Sequence, residues 1–151
     1  MDFTPSRINA FNFFKLPSVW WCGIRVTKID DISCQVKVAH RWINQNPFKS
    51  MFWAVQGMAA ELTTGVLIME AIHNSKRKVS MLVLNNRANF SKKARGKVLF
   101  ECDEKQKLIK SMNTLIKTQE PQTIWLTSKG IDQNGDIVST FEFEWTLLLK
   151  N

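Results

Sequence analysis

The sequence predicts an α+β fold in which an antiparallel sheet wraps one long helix. Three observations carry this. The stretch from Ser50 to Asn74 keeps helical spacing and is almost wholly small or apolar. Four segments of strand character follow it, interrupted once by an amphipathic helix. Two more precede it, behind a short N-terminal helix. A long apolar helix beside an antiparallel sheet is covered most simply when the apolar face of the sheet curls around it.

At 151 residues the chain is expected to form one domain, 1–151. A domain of this size buries roughly 68–70% of its unfolded surface, so it needs no staples. Hydrophobic residues at 44% and charged residues at 23% fit a globular chain and exclude a disordered one. Cys22, Cys34 and Cys102 are odd in number and widely spaced, which points to thiols in a reducing cytoplasm. The start, Met1-Asp2-Phe3, lacks the pattern of a signal peptide. No uncharged apolar run reaches the ~20 residues that span a bilayer, so no membrane partner is expected. The net charge of +8 invites an anionic partner: nucleic acid, anionic lipid or a phosphorylated cofactor. The basic residues are scattered and no nucleic-acid motif accompanies them, which places nucleic acid last.

The elements follow in order. Thr4-Pro5 starts a helix over about 5–15, with Ile8, Phe11 and Phe14 as its inward residues, and Pro17 ends it. Trp20 and Trp21 are expected to cover an edge of the core. Strands Ile24–Ile29 and Ser33–His40 flank a turn at Asp30-Asp31. Ser50 is the predicted N-cap of the central helix, about 50–74, which would extend roughly 37 Å. Met51, Val55, Met58, Leu62 and Met69 form its core stripe. Ala54, Gly57, Ala60, Thr64 and Gly65 are small enough to let a backbone or a ligand approach. Strand Val79–Phe90 carries an expected bulge at Asn85-Asn86, and strand Gly96–Cys102 follows. Helix Asp103–Lys117 has Leu108, Ile109, Met112, Leu115 and Ile116 on one face, with Asp103 and Gln106 at capping-box spacing. A hairpin of Thr123–Lys129 with Ile137–Lys150 turns through Asn134-Gly135.

One residue stands out chemically. Glu61 is the single ionisable group in the middle of the apolar helix. A carboxylate there is costly unless it is paired or solvated, and such surroundings raise its pKa. A structural glutamate is the competing explanation. Elsewhere no metal-ligand cluster, glycine-rich phosphate loop or nucleophile elbow occurs, and His40 and His73 make no recognisable site, so no metal or bound cofactor is expected.

The loop and helix together, Asn-Pro-Phe-x-Ser-Met from Asn46 and Gln-x-Met-Ala-Ala-Glu-Leu from Gln56, resemble a segment of the hot-dog superfamily. Within it the chain resembles the acyl-CoA thioesterases of the phenylacetyl-CoA thioesterase type, and more closely an uncharacterised hot-dog family. In such thioesterases a loop Asn precedes a His-Gly-Gly, and a carboxylate follows it. Asn46, Phe52-Trp53-Ala54 and Glu61 take those positions without a gap, with Phe and Trp replacing His and Gly. The resemblance implies a hot-dog fold, a homodimer or tetramer with sites between subunits, and an acyl-CoA substrate whose coenzyme A is not a bound cofactor. Glu61 would be general base or nucleophile and Asn46 a positioning group. Amides of Phe52, Trp53 and Ala54 would hold an oxyanion, with Gly57 beside the substrate. Lys92, Lys93 and Arg95 would meet the phosphates. A non-catalytic hot-dog that binds an acyl or aromatic ligand is the alternative.

Overall fold

A computed structural model describes residues 2–150. Helix α1 (Pro5–Lys15) is capped by the Thr4 side chain, and α2 (Pro17–Trp21) starts at the proline that ends it. Strands β1 (Arg25–Ile29) and β2 (Cys34–Ala39) lead through a 3-10 turn at Trp42–Asn44 to α3 (Trp53–Ser75). Then come β3 (Val79–Phe90), β4 (Lys97–Cys102), α4 (Lys105–Thr118), β5 (Gln122–Asp132) and β6 (Ile137–Leu149). The six strands form one antiparallel sheet in the order β1-β2-β4-β5-β6-β3, so β1 and β3 are its edges.

The sheet encloses α3, which packs against β1, β2, β4, β5 and β6. Strand alternation explains this. Val36, Val98, Phe100, Leu126, Phe141, Phe143, Trp145 and Leu147 are all buried toward the helix. Gly130 sits opposite Phe100 in the ladder, and a Cβ there would lie 2.6 Å from the ring, so glycine makes the room the ring occupies. Helix α4 inserts Leu108, Met112 and Leu115 into the same core.

Several local expectations are corrected. Phe14 is 76% exposed, while Asn12 is buried; four residues on from Ile8, position 12 shares the inward face and position 14 does not. Helix α3 starts at Trp53 with Phe52 as N-cap and no side-chain cap. Ser50 is instead buried, and its hydroxyl bonds the Asn46 amide, while Met51 N–H donates to Ala94 C=O. The start of α4 has no capping box: Glu104 is its N-cap, and the Gln106 amide donates to Asp31 C=O. The irregularity of β3 falls between Val83 and Asn85, at Leu84.

Candidate functional site

Most of the residues singled out in the sequence line one of two cavities. The first is a cleft of about 520 Å³ at the start of α3. Asn46, Phe48, Phe52, Trp53, Phe90, Lys92 and Lys93 line it. The second, of about 300 Å³, lies between α1, α2 and α3 and holds Glu61. Eight residues separate Trp53 from Glu61, roughly 12 Å along the helix axis.

At the cleft, the loop before α3 is built by Asn46. Its Oδ1 accepts from Phe48 N–H at 2.9 Å and Ser50 N–H at 3.3 Å, and its Nδ2 donates to Ser50 Oγ at 2.9 Å. This is the local turn chemistry of asparagine, and it commits most of the side chain to the loop. Asn44, which the sequence reading passed over, anchors the other side. It is buried, donates to Cys22 C=O at 3.0 Å and Ala39 C=O at 2.9 Å, and its own C=O accepts from Phe52 N–H. The Phe52 amide is therefore engaged. Those of Trp53 and Ala54 make no hydrogen bond among the described residues, so two of the three expected oxyanion donors are free.

The expected phosphate contacts divide as well. Lys92 pairs with Asp132 at 2.7 Å and Asp136 at 2.8 Å, fastening the β3–β4 loop to the β5–β6 turn. The ammonium holds the Asp132 carboxyl below its usual range. Lys92 thus reaches the cleft already paired with two carboxylates, unlike Lys93. Lys93 lies 5.9 Å from the centre of the Phe48 ring at the cleft, and Arg95 is exposed. Ala54 and Gly57 line neither cavity. Gly57 faces Phe141 of β6, with 3.5 Å for an added Cβ, so it serves helix–sheet packing and not ligand approach. Gln56, also missed in the sequence, lines the cleft from inside: Ser139 Oγ donates to its Oε1 at 2.8 Å. A polar residue on the buried face of an apolar helix is the signal that could have found it.

The second cavity has Ile8, Val19, Met58, Val66 and Trp145 among its walls. Glu61 retains solvent access at its mouth. The apolar walls desolvate its carboxylate and push the pKa above the ordinary glutamate range. Its carboxylate has no ion pair or hydrogen bond among the described residues. The Thr64 hydroxyl uses the Glu61 backbone C=O, and accepts from Trp145 Nε1 at 3.0 Å. The geometry can hold an apolar group beside a reactive carboxylate. No group of three or more metal-binding side chains occurs among the described residues.

A family model described as a domain of unknown function, DUF4442, matches residues 5–147. The chain belongs to this family. No curated protein matches the DUF4442 chain. Solved structures match it across nearly their whole length. One is a protein of unknown function from Pseudomonas aeruginosa, described as a probable thioesterase, with TM-score 0.82, 17% identity and 97% of each chain covered. A protein of unknown function from Chlorobaculum tepidum gives 0.80 at 14% identity, with 98% of each covered. A thioesterase from Haemophilus influenzae gives 0.73 at 12% identity, covering 99% of this chain and 93% of that one. These likenesses show that this DUF4442 protein has the hot-dog fold.

Proposed function

We propose that this DUF4442 protein hydrolyses an acyl thioester, carried by coenzyme A, at a site completed between two copies of the chain. One observation carries the reading: an unpaired carboxylate, Glu61, stands at the mouth of an apolar cavity on the central helix of a thioesterase-type fold. The Glu61 carboxylate takes a proton from water, and the hydroxide adds to the thioester carbonyl; alternatively the carboxylate attacks that carbon itself. Charge developing on the carbonyl oxygen meets the free N–H group of Trp53, in the cleft wall at the helix N-terminus. The C–S bond then breaks. In the first route the leaving thiolate takes up the proton held by Glu61. In the second it takes one from solvent, while water hydrolyses the anhydride formed on Glu61 and frees the carboxylate.

The second copy answers the separation of the two cavities. Met81, near the start of β3, lines the Glu61 cavity, and Phe90, at the end of β3, lines the cleft. If two β3 edges pair antiparallel about a two-fold axis, the start of one strand lies beside the end of the other. The Glu61 cavity of one copy then adjoins the cleft of the second. Leu82 and Leu84, 60% and 46% exposed on this edge, are the apolar surface such pairing would cover. Lys93 and Arg95 are the cations left for the coenzyme phosphates, and Asn46 acts by holding the loop. The three free cysteines suit the cytoplasm.

The test is a hydrolysis screen over short, long and aromatic acyl-CoAs with wild type and Glu61→Gln. The variant is expected to lose about 100-fold or more of the activity. Absence of turnover for every acyl-CoA would overturn hydrolysis and leave a protein that binds acyl groups without cleaving them.

A further inference from the structure

The wall of the Glu61 cavity holds a buried polar group without a partner. Asn12 of α1 lies in its wall and is 1% exposed, and its Nδ2 has no hydrogen-bond partner. An amide N–H buried without an acceptor is costly, and such groups are few in folded proteins. The other polar groups of the cavity do not supply one. Trp145 Nε1 is itself a donor, spent on Thr64 Oγ1, and neither the exposed Ser18 nor the Glu61 carboxylate bonds the Asn12 amide. Around Asn12 the walls are apolar: Ile8, Val19, Leu62 and Val66 are buried. The cavity of about 300 Å³ exceeds the roughly 150 Å³ that takes a benzene ring, so it has room for a ring with a short linker.

We infer that the cavity selects acyl groups with an apolar body and one oxygen acceptor, a carbonyl, ether or hydroxyl, in addition to the thioester carbonyl, and that Asn12 is the specificity-determining residue that donates to it. That the cavity takes the acyl portion rests on the reading above; the acceptor requirement rests on Asn12. That oxygen satisfies the buried N–H, while the apolar body fills the walls and the thioester stays near Glu61.

The test is equilibrium binding, independent of turnover. Acetophenone and ethylbenzene share size and skeleton and differ by a carbonyl acceptor. Their Kd values are measured by calorimetry for wild type and Asn12→Leu. The ratio of ethylbenzene Kd to acetophenone Kd is expected to fall about tenfold in the variant, the worth of one buried hydrogen bond. Taking a ratio between proteins cancels the different hydration of the probes. Asn12→Ala removes the same group in a smaller side chain and gives the same comparison should the leucine variant not fold. An unchanged ratio, or no binding of either probe to wild type, overturns the inference. A shifted ratio without turnover of any acyl-CoA sinks only the hydrolase reading; turnover with an unchanged ratio sinks only this one.

Discussion

At the residue scale, Glu61 ties the proposed chemistry to stability. Burial raises its folded pKa above the unfolded value, so between the two values the folded state binds more protons. Stability contributed by this group therefore falls as pH rises through that window, and the charged form is penalised above it. Glu61→Gln removes the penalty. Its melting temperature should exceed that of wild type at neutral pH, and the gap should close in acid below the ordinary glutamate pKa; a gap that widens in acid refutes the desolvated carboxylate. The same raised pKa places the acid limb of any hydrolysis profile above that of an ordinary glutamate, since only the carboxylate acts as base or nucleophile. Asn46 makes a different prediction. Its amide is spent on Phe48, Ser50 and their backbone, so Asn46→Ala should lower stability by about 1–2 kcal/mol in denaturant melts. Asn46→Asp keeps the accepting oxygens and should recover part of that loss.

At the element scale, the helices are joined by one buried ion pair. Lys105 of α4 meets Glu70 of α3 at 2.7 Å and also donates to Asp30 C=O at 2.6 Å, so one ammonium ties α4, α3 and the β1–β2 turn. Removing one partner leaves the other charge half-desolvated. Lys105→Met should cost about 3 kcal/mol, and the double variant with Glu70→Leu should regain much of it. Equal losses in single and double variants would show that the pair itself is not what matters. The sequence reading located both elements by their apolar periodicity. It could not see this pair, because Glu70 and Lys105 meet only after β3 and β4 have carried the chain back across the sheet.

At the scale of the whole molecule, the proposed pairing of two β3 edges makes its own prediction. Mass measured in solution should be that of a dimer, and Leu82→Lys with Leu84→Lys should give a monomer, since lysine on an edge strand opposes pairing. Activity should fall with the dimer. A monomeric wild type with full activity would remove the reason for a shared site.

The order of elements, the wrapped helix and the position of Glu61 were legible in the sequence. Alternation along strands and three-to-four spacing along helices are local consequences of burying one face, and neighbours in sequence carry them. A lone carboxylate on an otherwise apolar helix is equally local. Tertiary structure alone decided which side chains share a cavity. Lys92 looks free in the chain and is held by Asp132 and Asp136 in the fold. Phe14 fits an apolar helix face and points outward, while Asn12 takes the inward place. Glu61 and the start of α3 lie on one helix yet open into separate cavities, and Glu61 shares its cavity with Asn12, far away in sequence. Such meetings depend on how whole elements pack, because a side chain's partners are set by the three-dimensional path of the chain and not by its neighbours along it.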